Sequence, residues 1–312
     1  MMLGFLSRIV PQGVTLCGPR ADVIPPRKYT ESLIAEEDLK MRLEDRVAIV
    51  TGGGGGLGEG ICLCLAREGA HVVVSDLDQG LADKVAGKLQ ETGHKAFAVQ
   101  TDVSVPEQCE SLIEESLNKM GSINILVCGA GVGGFVYRGE TDEPPILENI
   151  SEREWDLTID VNLKGVFLCN RAVAPYFKRQ KSGKIINISS IGGRKGIDWI
   201  PHYCASKAGV IVLTQAVALQ LAPYNVNVNT ICPGVIRTPM WDRGAEVLSQ
   251  SYPPFKGMSP DDVFNAVVQN MIPMRRPQTA EDIGNAVVFL ASEMAKEITG
   301  QAINVDGGAL FN

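Results

Sequence analysis

The sequence is poor in positive charge: 29 Lys and Arg stand against 36 Asp and Glu, for a net charge of −7. No basic stripe is present to neutralise phosphates, which sets aside nucleic acid and anionic membrane surfaces as partners. Histidine is scarce as well. None of the three histidines falls in a metal-ligand spacing, so no metal site is expected. The eight cysteines, at 17, 62, 64, 109, 128, 169, 204 and 232, include no Cys-x-x-Cys pair, and most lie inside apolar segments. Thiols placed this way act as small buried hydrophobes in a reducing compartment, which implies a cytoplasmic protein. No uninterrupted apolar run approaches the ~18 residues that a spanning helix needs, so no membrane partner is expected.

What is present is an ordinary globular composition rich in glycine, with 45% apolar residues and 33 glycines, enough for a sizeable core. Residues 1–40 stand apart: no acid precedes Asp22, Gly and Pro occur without a period, and no signal-peptide core is present. They read as a poorly ordered extension ahead of a single domain over 41–312. From Arg46 onward, β-branched runs alternate with longer amphipathic stretches. Strands are expected at 47–51, 71–75, 96–100, 123–127, 184–189, 226–231 and 302–305. Helices are expected near 57–69, 78–92, 105–120, 152–180, 203–222 and 280–293. Strands apolar throughout, each followed by a helix, imply a doubly wound α/β domain: a mainly seven-stranded parallel sheet with helices on both faces. The stretch Ala208 to Leu221 leaves almost no polar face, and a helix apolar all round is buried all round. The sheet covers only one side. The other is therefore expected to pack on a second subunit, together with the helix that carries Leu157, Val161, Val166 and Phe167, giving a homo-oligomer, a dimer or tetramer.

Thr51-Gly52-Gly53-Gly54-Gly55-Gly56-Leu57-Gly58 follows the first strand and opens a helix. In that context the glycines let the backbone turn tightly and approach a pyrophosphate, whose charge is favoured at a helix N-terminus. Asp76 ends the second strand, where a dinucleotide-binding unit places the acid that takes the ribose hydroxyls. A 2′-phosphate beside it would meet repulsion of about 4 kcal/mol per charge pair at ~4 Å, so NAD is expected over NADP. Asp102-Val103 closes the third strand, where it could bracket the adenine.

Tyr203 and Lys207 stand at i and i+4, so their side chains share one helix face, about 6 Å apart at Cβ. Ser190 lies thirteen residues before Tyr203, at the end of the apolar run from Lys184. A hydroxyl, a phenol and an ammonium would then share one pocket.

These motifs together resemble the short-chain dehydrogenase/reductase family. The match runs from about Met41 to the C-terminus and rests on six ordered features. They are the glycine motif at Thr51 to Gly58, Asp102-Val103, Asn162 in a long helix, Ser190, Tyr-x-x-x-Lys at 203 to 207, and Pro233-Gly234 leading to Thr238-Pro239. The resemblance implies hydride transfer between a nicotinamide cofactor and the carbon of a secondary alcohol or ketone. It makes Tyr203 the acid/base, with a phenol pKa lowered by nearby positive charge. Ser190 would hold the substrate oxygen, Lys207 the nicotinamide ribose, and Asn162 a water leading protons to solvent. Gly52, Gly56, Leu57, Gly58, Asp76, Asp102, Val103, Cys128, Gly129, Tyr203, Lys207, Pro233, Gly234, Ile236 and Thr238 would line the cofactor, Thr238 and the backbone near Ile236 fixing its carboxamide. One departure stands out. After the fourth strand the family has Asn-Asn-Ala-Gly, whereas this chain reads Cys128-Gly129-Ala130-Gly131, which removes the side chains that brace the central strands.

The substrate is expected between the loops 131–151 and 239–277, under an apolar lid with Phe135, Tyr137, Pro144, Pro145, Trp241, Tyr252, Phe255, Met258 and Phe264. Arg194, Lys195 and Lys256 could meet a carboxylate or phosphate at the mouth, although a solvated surface accounts for all three better. Arg275 and Arg276 are expected to pair with Glu281 and Asp282. His202 has no carboxylate partner near it in sequence. The leading expectation is an NAD-dependent secondary-alcohol dehydrogenase. The rivals are a 3-oxoacyl thioester reductase and, from another class, a catalytically silent partner subunit.

Overall fold

Runs of β-branched residues with no polar face can be buried only inside a layered sheet, and that is where they lie. In the computed structural model of the chain, residues 42–135 and 146–311 are described. The extension expected over 1–40 lies outside the described residues, as do Tyr137, Pro144 and Pro145. Seven strands, β1 (Val47–Thr51), β2 (His71–Asp76), β3 (Ala96–Gln100), β4 (Ile125–Cys128), β5 (Gly183–Ile188), β6 (Val226–Pro233) and β7 (Ala302–Val305), form one sheet in the order β3-β2-β1-β4-β5-β6-β7. Every pairing is parallel.

Helices α1 (Gly56–Arg67), α2 (Gln79–Glu91) and α9 (Ala280–Ala291) cover one face, packing Ile61, Leu65, Val85 and Ile283 against Val50, Val74 and Val127. On the other face lie α3 (Pro106–Met120), α5 (Gly165–Gln180) and α6 (Pro201–Leu221). Leu112, Val173, Phe177 and Val210 pack there on Ile49, Leu126 and Ile185. Each of these side chains contributes about 1.5–3 kcal/mol by leaving water. Because strand order reverses between β1 and β4, the loops leaving their carboxyl ends part in opposite directions and open a crevice.

The helix expected over 152–180 is divided. Helix α4 (Glu152–Ile159) runs into a π-helical turn over Asp160–Lys164, and only then does α5 begin. The stretch 239–277, expected as a loop, holds α7 (Pro239–Ser251) and α8 (Pro260–Met271). Their start signals are in the sequence. Thr238-Pro239 and Ser259-Pro260 place a capping hydroxyl before a proline at the first helical position, and both hydroxyls accept a backbone N–H.

Within one chain, helix α6 is covered on one side only. Its inward face holds His202, Ser206, Lys207, Val210, Thr214, Ala218 and Leu221, while Val212 and Leu219 are 64% and 79% exposed. The outward face continues onto half-exposed Phe167 of α5. The segment 201–224 is long and apolar enough, with a mean hydropathy of 1.4, to meet the length of a bilayer span. Its buried polar residues, however, are engaged within the fold: Lys207 and Thr214 bond β5 and β6, and Ser206 bonds Asn162.

The missing asparagine at Cys128 is replaced by bracing from other elements. The Asn170 amide, on α5, donates to Cys128 Sγ at 3.4 Å and to Asn187 Oδ1 at 2.9 Å. Asn187 donates to Thr214 Oγ1 at 2.9 Å, and Thr230 reaches the same oxygen at 2.6 Å. This chain ties β4, β5 and β6 to both helices, and all its members except Cys128 are polar groups buried to within 2% of complete. Asn187→Ala removes its hydrogen bonds with Asn170 and Thr214 and leaves Asn170 Oδ1 without its donor inside the core, so it should lower unfolding free energy by about 2–3 kcal/mol. Urea denaturation with an unchanged m-value checks that figure.

Candidate active site

At the carboxyl end of β1 the chain must turn within van der Waals reach of its neighbours. Gly52 has φ +69°, and a Cβ on it would lie 2.7 Å from the Ala130 backbone. On Gly58 a Cβ would lie 1.9 Å from Gly52 O, so the turn closes only without side chains. Gly55, which precedes α1, has nothing within 4 Å of a built Cβ, and no side chain caps the helix. The free N–H groups of that turn therefore face open space, the arrangement that receives a pyrophosphate. Asp76 lies alongside. Its carboxylate accepts from the amides of Gly54 at 2.9 Å and Asp78 at 3.1 Å, which fixes it beside the glycine turn. These residues fit a dinucleotide.

The remaining residues expected around the cofactor take several roles. Leu57 packs on the core. Asp102 turns inward on its own loop and accepts from both N and Oγ of Ser104, at 2.9 and 2.6 Å. Val103 is buried, and a Cβ on Gly165 would meet its Cγ2 at 2.7 Å, so it spaces α5 from β3. Cys128 ends β4, and Gly129 donates to Thr51 O at 3.1 Å. Pro233 ends β6, and Gly234 leaves no room beside Gln278 and Asp306. Ile236 bridges to Gln278. Thr238 caps α7 by accepting from Trp241 N, and a Cβ on Gly56 would lie 3.6 Å from its methyl. The turns after β1 and β6 thus face one another across the crevice.

Deeper in the crevice, β5 ends at Ile188 and Ser190 follows in extended conformation, its hydroxyl accepting from Gly192 N at 3.0 Å. Helix α6 brings Tyr203 beside it. A Cβ on Gly192 would lie 3.4 Å from Tyr203 Cε1 and 3.5 Å from both Ser190 Oγ and Cys204 Sγ. Lys207, 5% exposed, donates to Ile188 O at 3.0 Å, with Nζ 5.7 Å from the Tyr203 ring centre. Burial pushes the Tyr203 phenol up to about 12, offset in part by a hydrogen bond with Ser190. Burial also pulls the Lys207 ammonium down to about 8. The lowered phenol expected from the sequence is thus absent in the chain by itself. Desolvation outweighs the hydrogen bond, and Lys207 does not figure among the influences on the phenol.

Asn162 lies in the π turn, fully buried. Its amide accepts from Val132 N at 2.8 Å and donates to Val132 O at 3.0 Å and Ser206 Oγ at 3.2 Å. The wide turn aims it inward, a common use of π-bulges at functional sites. A Cβ on Gly131 would lie 3.2 Å from Asn162 Oδ1 and 3.4 Å from Lys207 Nζ, so the four expected catalytic side chains converge on one glycine-lined floor.

Several expectations are corrected. Arg194 donates to Ala302 O on β7, drawn toward the sheet instead of the mouth. Glu281 pairs with Arg67 at 2.6 Å and Asp282 closes the capping box of α9, so neither pairs with Arg275 or Arg276. His202 has a carboxylate partner after all, with Glu154 of α4 at 3.9 Å. That contact spans 48 residues and leaves no local signal in the sequence. The lid is sharper than expected. Trp199 meets Tyr252 and Phe255 edge-on at 5.5 and 6.1 Å, and Tyr252 donates to Asp198 at 2.5 Å. Phe135, Ile200 and Cys204 continue this apolar wall, whereas Trp241 and Phe264 pack on each other nearby. Among the described residues no cluster of His, Cys, Asp or Glu is placed to hold a metal ion.

A family model for short chain dehydrogenases matches residues 46–247. The chain belongs to the short-chain dehydrogenase family. It is 37% identical over 265 residues to a 3-oxoacyl-[acyl-carrier-protein] reductase of Staphylococcus epidermidis, covering 85% of this chain and 98% of the relative. It is 34% identical over 271 residues to the (2S)-[(R)-hydroxy(phenyl)methyl]succinyl-CoA dehydrogenase subunit BbsD of Thauera aromatica, covering 86% and 98%. Among solved structures, levodione reductase superposes with a TM-score of 0.78 at 30% identity, over 86% of this chain and 98% of that one. NAD+-bound xylitol dehydrogenase superposes at 0.79 and 28%, over 86% and 100%. As a short-chain dehydrogenase the chain is an oxidoreductase of the class that binds NAD(P) and acts on CH–OH groups.

Proposed function

We propose that this short-chain dehydrogenase interconverts a hydroxyl and a keto group with NAD(H), and that its substrate is a 3-hydroxyacyl or 3-oxoacyl thioester. The observation that carries the reaction is the convergence of Ser190, Tyr203, Lys207 and Asn162 at the carboxyl ends of β4 and β5, beside the glycine turn. When bound, the nicotinamide supplies the hydride acceptor or donor. The chain supplies the rest. Ser190 hydrogen-bonds the substrate oxygen and stabilises its developing charge. Tyr203 donates its phenol proton to that oxygen in reduction and withdraws it in oxidation. A phenol near 12 is protonated at neutral pH and ready to donate, while an ammonium near 8 loses its charge as pH rises past that value. Asn162 would anchor a water that leads the proton outward.

The thioester reading rests on the relatives, since both the staphylococcal and the Thauera proteins bear acyl-thioester names. Asp76 supports NAD, and with NAD the same bond chemistry runs readily as a dehydrogenase. A second reading, a cyclic or polyhydroxy secondary alcohol, is supported by the two superposing structures and the apolar wall of Trp199, Tyr252 and Phe255. The intact four-residue site weighs against a silent subunit. The seven cysteines among the described residues are all buried free thiols, which suits a cytoplasmic setting. The exposed apolar face of α6 suits a homo-oligomer.

A spectrophotometric panel of 3-hydroxyacyl thioesters, cyclic alcohols and polyols separates the readings. NADH formation from the thioesters alone is expected, and tight NADH binding with no turnover would favour the silent subunit. Tyr203→Phe should lower kcat by roughly 10² to 10⁴-fold while the Kd for NADH holds. In the unaltered enzyme, the ratio of oxidation to reduction should rise with pH. Asp76→Ala should raise kcat/KM with NADPH relative to NADH by about tenfold or more, and an unchanged ratio removes Asp76 from cofactor choice. Light scattering should give a dimer or tetramer, and Leu219→Glu should shift it toward the monomer.

A further inference from the structure

The inward face of α6 carries one buried ionisable side chain that the reaction does not use. His202 is fully enclosed and Glu154 is 2% exposed, with Nε2 and Oε1 3.9 Å apart. Enclosing an imidazole and a carboxylate carries a desolvation cost of several kcal/mol, which an apolar pair of the same size would not incur. Their position suggests what offsets that cost. Tyr203 is the third residue of α6, whose first turn has no side-chain cap: Ile200 makes none and Pro201 fills the first position. An uncapped first turn frays most readily, and here it bears the phenol. A carboxylate beside that turn complements the positive end of the helix. On its other side, a Cβ on Gly134 would lie 2.8 Å from both Cε1 and Nε2 of His202 and 2.8 Å from Ile200 Cγ2. The segment that carries Val132, the partner of Asn162, therefore passes against the imidazole.

We propose that His202 and Glu154 are positioning residues. The pair holds the first turn of α6 between α4 and the segment 131–134, and so sets where the Tyr203 phenol stands relative to Ser190. This rests on the reading of Tyr203 as the proton-transfer group. Placement errors of about 1 Å lower rates by roughly 10²-fold, so a clamp of this kind acts on kcat more than on KM.

The test uses four variants of the full chain: His202→Ala, Glu154→Gln, Gly134→Ala, and Gly134→Ala combined with His202→Ala. Both His202→Ala and Glu154→Gln should lower kcat by roughly 10 to 100-fold with KM moved less than about threefold. Amide exchange in a peptide spanning 200–207 should quicken in His202→Ala. Gly134→Ala by itself should lower kcat by about tenfold or more, and should cost less in the His202→Ala background, where only the contact with Ile200 remains. If His202→Ala does not fold, His202→Asn takes its place in each comparison. Near-normal kcat in both single variants, or losses from Gly134→Ala and His202→Ala that multiply independently, would overturn the proposal. Tyr203→Phe is measured alongside. If Tyr203→Phe is active, the functional reading fails and the clamp with it; if it is inactive while His202→Ala and Glu154→Gln are both active, only the clamp fails.

Discussion

One buried carboxamide joins the pieces of chain that make the site. Asn162 exchanges two hydrogen bonds with the backbone of Val132 and gives a third to Ser206, with no access to water. A buried amide must satisfy its donors and acceptor, so the segment leaving β4, the π turn before α5 and the first turns of α6 have one joint arrangement available to them. Lys207, one residue beyond Ser206, is thereby held where it reaches Ile188 O at the end of β5. The reactive groups come from three distant stretches, and this polar knot turns them into one surface.

The same logic runs through the sheet. Cys128 stands where the family pattern has asparagine, yet the strands are still cross-tied, because Asn170, Asn187, Thr214 and Thr230 carry a hydrogen-bonded chain across β5 and β6. A soft thiol at the end of that chain accepts a weak hydrogen bond without demanding one. The substitution thus removes a donor from the core without leaving a partner orphaned. Electrostatics at the site follow from the same burial. Desolvation acts against the charged form of both Tyr203 and Lys207, so the free chain holds a protonated phenol next to a weakened ammonium.

Much of this was legible along the chain because it depends on short periods. Seven strands appear where β-branched runs stand, and the glycine turn, Asp76 and the pair Tyr203 and Lys207 are local patterns with local reasons. Helices α7 and α8 were also written, as hydroxyl-proline starts at Thr238 and Ser259, but the aromatic content between them drew attention toward a loop. Arg194, Glu281 and Asp282 illustrate the opposite failure. Glu281 and Asp282 were expected to pair with Arg275 and Arg276 by nearness in sequence and Arg194 to face the mouth, whereas the fold gives Glu281 to Arg67, Asp282 to a helix cap and Arg194 to Ala302 O.

The sequence by itself determined the layer architecture, the glycine turn after β1 and the shared helix face of Tyr203 and Lys207, since each follows from spacing along one element. Tertiary structure alone decided what lies beside them: the π turn that aims Asn162, the apolar wall of Trp199, Tyr252 and Phe255, and the burial of His202 against Glu154. A contact 48 residues apart leaves no periodicity, and its strength depends on the removal of water, which only the packed chain accomplishes.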